Sequence, residues 1–367
     1  MTKPNIWVFS LEPLESRYTC EWFEGIPNAL RKHDSTGNFN VVNLAGIQIK
    51  SEVTDSAFLN FSDTNYWKSS QLLAFIERYN KGEVGDSDIF LFTDFWNPAA
   101  TQIKYMSDLM GKNWEIHGIC HAGAYDPADF LGRLPADGRW ATAQELSFFH
   151  SFDYLYFATN FHKELFIKNV LIKSNVQLDT VDLNKLQISG QPHEFLVGQL
   201  NGYKKLPKRD LILFPHRLAT EKQPEIFRDL AESMPEYEFV VCQDTKLTKE
   251  EYHTLLLESK ITFSASLQET MGISSCIEAP LLGSVPLVPS RLSYAEVFEN
   301  YLDFQYPAEW TENWELYLKH KEKIMVVIHE IITSYDKYER RVAEFVREEL
   351  PKYTSAKPMF NRLLSLL

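Results

Sequence analysis

Glycine is scarce in this chain, at 15 of 367 residues, about half the usual frequency. Neither G-x-G-x-x-G nor a Walker-type string occurs, which excludes the glycine-rich phosphate cradles of dinucleotide and P-loop proteins. Cysteine is sparser still. Cys20, Cys120, Cys242 and Cys276 are far apart and form no C-x-x-C pair, which argues against structural zinc and for thiols of a reducing compartment. No apolar run reaches the roughly 18 residues of a membrane-spanning helix, and the opening MTKPNIWVFS lacks the long apolar stretch of a signal peptide. The expected location is the cytoplasm, with no membrane insertion. Positive charge is also short: 37 Lys and Arg against 50 Asp and Glu leave a net charge of −13. That total gives no general attraction to nucleic acid or anionic membrane, although a local basic groove is compatible with it.

What is present is apolar and aromatic, at 44% and 14% of residues, enough for two cores in a chain too long for one. Nearly continuous apolar runs alternate with helix-period stretches. The first half holds runs at 6–10, 39–46, 88–95, 114–120 and 152–160, and the second at 211–214, 239–242, 260–266 and 285–290. Such runs suit parallel strands covered on both faces, so the expectation is an α/β protein with two Rossmann-like, doubly wound domains. The pattern loosens from Val176 to Leu206. The basic cluster Lys204, Lys205, Lys208, Arg209 follows, read as a solvated hinge. The expected boundaries are a first domain over 1–200, a linker over 201–209, a second domain over 210–350 and a C-terminal helix over 351–367. Beyond Tyr294 the chain reads as helical, with segments at 311–333, 335–350 and 355–366.

Residues 210–245 organise the chemistry. A buried strand, a short loop and an amphipathic helix place Arg217 and Lys222 where the strand ends and the helix begins. Open α/β sheets bind ligands at the carboxyl ends of their strands, and two cations beside a helix N-terminus suit a phosphorylated ligand. In SLQETMGISSCIEAP, Glu269 and Gly272 follow a strand and Glu278 lies on the next helix. Carboxylates there can accept hydrogen bonds from sugar or ribose hydroxyls, and the N–H groups of Gly272 and Ile273 can face a phosphate. Equally, Glu269 alone suits a helix cap and Glu278 a solvated helix face.

Arg217 and Lys222, followed by Glu269-Thr270-Met271-Gly272 and Glu278-Ala279, resemble the C-terminal domain of GT-B nucleotide-sugar glycosyltransferases. The likeness is to the retaining group that includes glycogen-synthase-like enzymes. The resemblance implies two domains facing across a cleft, with Arg217 and Lys222 on the donor pyrophosphate. Glu269, Thr270, Met271, Gly272 and Ile273 would border the donor sugar and phosphates, and Glu278 the ribose. The last helix would cross back to the first domain. The donor implied is a uridine diphosphate sugar, with no further cofactor. Eight residues separate Glu269 from Glu278, one more than the family pattern. Either a local bulge displaces Glu278 or a neighbour takes its role.

In the first half, FDYLYFATN resembles the family's last N-terminal strand, with Thr159 and Asn160 at its end; Asn160 also suits a helix cap. His121, just past a strand, matches the position where members commonly carry a histidine beside the transferring sugar, while His117 reads as structural. Asp94, at another strand end, could bind an acceptor hydroxyl or cap the next helix. The first loop, SLEPLESRYT, has no glycine pair, so Glu15 and Arg17 become acceptor or charge-supplying candidates. This opening also resembles glycosyltransferases of DNA-modifying bacteriophages, which implies DNA bearing hydroxymethylated bases as an acceptor candidate and a host-cytoplasm location. Arg17, Lys104, Lys112, Arg133, Arg139 and Lys163 could then line one face of the first domain. The D-x-D match, Asp86-Ser-Asp88, precedes a buried strand, so no metal site is expected. Two alternatives stay open: an enzyme acting on glycans or small molecules, and an inactive nucleotide-sugar-binding module.

Overall fold

A computed structural model describes residues 3–14, 17–49, 60–134 and 139–365. Two compact units divide the chain. The first comprises 1–158, 163–192 and 356–367, and the second 159–162 and 193–355. The division therefore falls at Pro192 and His193, and residues 201–209 lie inside the second unit.

The first unit carries one parallel sheet: β1 (Asn5–Phe9), β2 (Asn40–Leu44), β3 (Ile89–Phe92), β4 (Glu115–Ile119), β5 (Tyr154–Phe157) and β6 (Leu186–Ile188), in the order β2-β1-β3-β4-β5-β6. In register, Ile6, Trp7, Val8 and Phe9 face Ile89, Phe90, Leu91 and Phe92, and all eight are at most 2% exposed. Burial on both faces is why these runs show no polar alternation. Asp88 closes the amino end of this seam, accepting from the Asn5 backbone at 2.9 Å and the Trp7 indole at 2.7 Å. Of the D-x-D pair, Asp88 is thus a structural anchor. Strand β6 lies in the stretch that loosens in sequence.

The second sheet, also parallel, contains β7 (Arg209–Phe214), β8 (Glu238–Val241), β9 (Ser259–Phe263), β10 (Val285–Pro289) and β11 (Gln305–Tyr306), ordered β11-β10-β9-β7-β8. The two-residue β11 interrupts the region expected to be wholly helical. Helices Trp314–Thr333, Tyr335–Glu348, Leu350–Thr354 and Lys357–Leu364 complete the chain. The last belongs to the first unit, where Arg362 bonds Glu115 at 2.9 Å.

The basic cluster is not a uniform solvated hinge. Lys204 and Lys205 are exposed. Lys208 instead turns inward, and its ammonium donates to the carbonyls of Leu256, Ser259 and Leu282 at 2.8–3.3 Å. Arg209 opens β7 and pairs with Glu238 at 2.8 Å. Tertiary acceptors decide which of four similar side chains faces water.

In each sheet the chain reverses its direction of travel once. The strand order changes sense between β1 and β3 in the first unit and between β7 and β9 in the second. A crevice opens outside the carboxyl ends of strands at such points.

Candidate functional site

The loops that follow β7 and β9 flank the switch point of the second unit, and they are stitched together. Leu267 donates its backbone N–H to the Glu221 carbonyl at 2.8 Å. Gln223, at a φ of 53°, turns the chain so that its side-chain amide donates to Ala265 and Thr311 carbonyls at 2.7 Å. That reversal separates the turn Thr220–Lys222 from helix Pro224–Ser233 and directs Lys222 back onto the other loop. The Lys222 ammonium donates to the Gln268 carbonyl and to Glu269 Oε2, the latter at 2.9 Å. Arg217 reaches Glu221 at 3.2 Å, with its side chain 48% exposed.

Charge shapes this cluster. Burial raises the Glu269 carboxyl, but the Lys222 ammonium and, less strongly, the Arg217 guanidinium outweigh it and hold the group below its ordinary value. His216, 6% exposed, is pushed down to about 3 by burial, with Lys222 adding to the effect, so its imidazole is neutral at physiological pH. The sequence reading missed His216 although it adjoins Arg217. It also missed Arg291, whose guanidinium donates to the carbonyls of Ala265, Ser266 and Ala308 at 2.7–2.8 Å. Arg291 thereby fixes the course of the chain leaving β9. A lone arginine two positions past the apolar strand VPLVP was the available signal.

Beyond Glu269 the backbone carbonyl of Thr270 accepts from the Ser293 hydroxyl, and the Met271 side chain is buried at 1% exposure. Gly272 adopts a φ of 72°, and a Cβ there would stand 2.8 Å from the Tyr294 ring. Residues Ile273–Glu278 then form a π-helical turn. A π turn accommodates one more residue than an α turn, so the stretch leading to Glu278 carries a local bulge. Glu278 is not a solvated helix residue. It is 7% exposed and bonds the Tyr252 hydroxyl at 2.9 Å.

Also within the second unit, Thr159 bonds Ser293 at 3.0 Å, and Glu296 accepts from the backbone of Asn160 and Phe161 at 2.9 and 2.8 Å. Asn160 is the first residue of its helix rather than the cap; Thr159 supplies the capping oxygen, accepting from His162 N at 3.3 Å.

In the first unit, the loops after β1, β3 and β4 bring Arg17, Asp94 and His121 to the carboxyl end of the sheet. His121 Nε2 lies 2.8 Å from the Thr93 carbonyl and Nδ1 lies 3.1 Å from the Tyr18 hydroxyl. A carbonyl only accepts, so the proton sits on Nε2 and Nδ1 receives the Tyr18 hydrogen. Burial lowers the His121 pKa, which favours this neutral form. Asp94 does not cap the helix Ala99–Met110; it pairs with Lys68 at 3.0 Å. Burial raises its carboxyl, and the Lys68 ammonium, with a hydrogen bond from the Trp96 backbone, brings it below its ordinary value. Glu15 lies outside the described residues. The six basic candidates do not share one face. Arg17 follows β1, whereas Lys112 sits at the amino ends of the strands, 2.5 Å from Asp86, and Lys104 borders a cavity there with Glu115 and Asp153.

Among the described residues, no group of three or more His, Cys, Asp or Glu is arranged to hold a metal ion, and no helix is long and apolar enough to cross a membrane. All four cysteines are free thiols.

No protein-family model and no curated protein sequence matches the chain. Solved structures do. The catalytic domain of starch synthase IV from Arabidopsis thaliana, bound to ADP and acarbose, is 12% identical with a TM-score of 0.60, and the likeness covers 100% of both chains. A glycosyltransferase from Rickettsia africae is 13% identical with a TM-score of 0.55, over 99% of both chains. Anabaena HepE in complex with UDP is 10% identical with a TM-score of 0.54, again over 99% of both. Two parallel sheets with flanking helices and a helical C-terminal region, matched along the whole chain, identify the architecture as the GT-B fold.

Proposed function

We propose that this protein is a glycosyltransferase that moves a sugar from a nucleotide diphosphate sugar to an acceptor hydroxyl. The observation that carries the reading is the convergence of Arg217, Lys222 and Glu269 on the carboxyl ends of β7 and β9, in a chain of GT-B fold. Support also comes from solved structures of that fold holding ADP or UDP.

In this reading the bond between the anomeric carbon and the diphosphate oxygen breaks, and negative charge gathers on the leaving group. Arg217 and Lys222 neutralise it, an interaction worth most where fixed cations face developing charge away from water. Lys222 exchanges its Glu269 partner for phosphate, which frees the Glu269 carboxylate to accept from donor-sugar hydroxyls. The backbone of Gly272 and Ile273 faces the phosphate, and Glu278 the ribose. The carrier is uridine diphosphate, no divalent metal is required, and the acceptor approaches on the face of the departing diphosphate, which retains configuration. Arg17 and Asp94 serve the acceptor, His121 the transferring sugar, and DNA with hydroxymethylated pyrimidines is the acceptor proposed.

The test is purified protein with a panel of nucleotide sugars, with and without chelator, and three acceptors: hydroxymethylated DNA, plain DNA and small glycans. Released diphosphate and product mass are followed, and NMR reads the anomeric configuration. Donor consumption that depends on one acceptor supports the assignment. Nucleotide binding without turnover under every condition identifies an inactive binding module instead.

A further inference from the structure

Lys68 and Asp94 repeat, at the switch point of the first unit, the bonding of Lys222 and Glu269 in the second. The Lys68 ammonium donates to Asp94 Oδ2 at 3.0 Å and to the backbone carbonyl of Trp96, in the same loop after β3. The Lys222 ammonium likewise donates to Glu269 and to the carbonyl of Gln268, in the loop after β9. Both pairs are largely covered, with side chains 14% and 17% exposed in the first unit and 5% and 18% in the second. An ammonium carries three protons. Among the described residues, the third proton of Lys68 has no acceptor.

The helix that carries Lys68, Phe61–Asn80, is pinned over this crevice. Its Trp67 indole donates to the Ser10 carbonyl at 2.9 Å, and the fully buried Gln71 amide donates to the carbonyls of Ser10 and Leu44 at 2.8 and 2.7 Å. These bonds fix the helix to the carboxyl ends of β1 and β2 while Lys68 reaches the loop after β3. A second cation converges there: burial is the chief depressor of the His121 pKa, and the Arg17 and Lys68 charges both add to it. Keeping an ion pair out of water often stabilises less than apolar groups of the same volume. Its placement at the ligand-binding end of the sheet points to use rather than to stability.

We propose that Lys68 and Arg17 form a phosphate site in the first unit, with Asp94 as the counter-ion that the phosphate displaces. Lys68 turns from Asp94 to the phosphate oxygens, the same exchange proposed for Lys222. Asp94 keeps the Trp96 N–H on Oδ1 at 3.0 Å, and its Oδ2 is released to accept from a neighbouring hydroxyl. The acceptor is therefore a phosphate ester with its hydroxyl close by, a chemistry shared by a DNA phosphodiester and a sugar phosphate. That this ligand is an acceptor rests on the function proposed above; the phosphate site rests on the first unit alone.

Calorimetry with two matched pairs of probes tests this: ribose 5-phosphate against ribose, and short single-stranded DNA against its uncharged methylphosphonate analogue. The wild type should bind the phosphate-bearing member of at least one pair and not its neutral twin, and the pair that responds names the source. K68M should weaken that binding by roughly ten- to a hundredfold, and K68R should restore much of it. D94N, which strips away the competing carboxylate, should tighten it, whereas a merely structural pair gives a lower melting temperature and no gain in affinity. Where K68M folds poorly, K68M/D94N, with both charges removed, takes its place. Equal affinity for charged and neutral twins, or no tightening in D94N, overturns the inference. R217A and UDP separate the two levels of argument. Probe binding lost in R217A and kept in K68M puts the anion in the second unit, which sinks the inference and spares the donor site. Probe binding that depends on Lys68 in a protein that does not bind UDP sinks the acceptor reading and spares the phosphate site.

Discussion

Lys222 and Glu269 lie 2.9 Å apart, with side chains 5% and 18% exposed, so the cation and the carboxylate nominated for the donor are each other's counter-ion. Their pairing has a stability consequence independent of catalysis. K222A leaves Glu269 covered and uncompensated, and should lower the unfolding free energy by about 3 kcal/mol. The double variant K222A/E269A should recover much of that loss, and denaturant titration of the four proteins measures the coupling. The pH sign also follows. Because the Glu269 carboxyl is held below its ordinary value, its contribution is present above about pH 4.5 and fades as pH falls through the depressed value. Acid unfolding of the wild type should therefore be steeper than that of E269Q.

Arg217 offers the cleaner functional test, since its side chain is half exposed. R217A should change stability by no more than about 0.5 kcal/mol while lowering transfer by roughly 10²- to 10³-fold. Turnover at saturating donor, with circular dichroism as the fold control, checks both. Wild-type turnover in R217A removes it from the pyrophosphate site.

Gly272 carries a conformational demand that no other residue meets easily. With a φ of 72° and the Tyr294 ring 2.8 Å from the position of a Cβ, G272A should cost about 1–3 kcal/mol and weaken donor binding. G198A is the matched control. Gly198 lies in the helix Glu194–Leu200 with nothing within 4 Å of an added Cβ, so alanine there should be neutral or stabilising by about 0.5–1 kcal/mol. Melting temperatures that fall equally in both would contradict the strain argument.

Glu145 should give the first unit a distinctive pH profile. Fully buried, it accepts from the Trp96 indole at 2.9 Å and Ala124 N at 2.5 Å through Oε1. Among the described residues, Oε2 is buried without a hydrogen-bond partner. Burial pushes the carboxyl up to about 8, so between about pH 4.5 and 8 the folded protein binds more protons than the unfolded one. Stability should then decline as pH rises through that window. E145Q keeps the acceptor and removes the titration, so its stability should be flat over the same range. A parallel decline in both, by urea titration at several pH values, rules the residue out.

Much of this architecture was legible because burial on both faces leaves an unbroken apolar signature. IWVF, IFLF and LILF announce their strands without tertiary information. The weaker elements were silent for the opposite reason. LQI and QY are three- and two-residue strands at sheet edges, too short for any periodicity. Lys208 shows the same limit in side chains: four neighbouring cations look alike until the carbonyls of Leu256, Ser259 and Leu282 single one out.

The amino-acid order alone determined that Arg217, Lys222, Glu269 and Gly272 follow strands, since a strand end is a local event written in hydrophobicity and glycine. That Lys222 meets Glu269 across 46 intervening positions, that Arg291 laces the same loop, and that Ile273–Glu278 forms a π turn tied to Tyr252 were decided only by the tertiary structure. The physical reason is that each is a pairing between segments far apart in the chain, where packing and unsatisfied polar groups, rather than local propensity, select the partner.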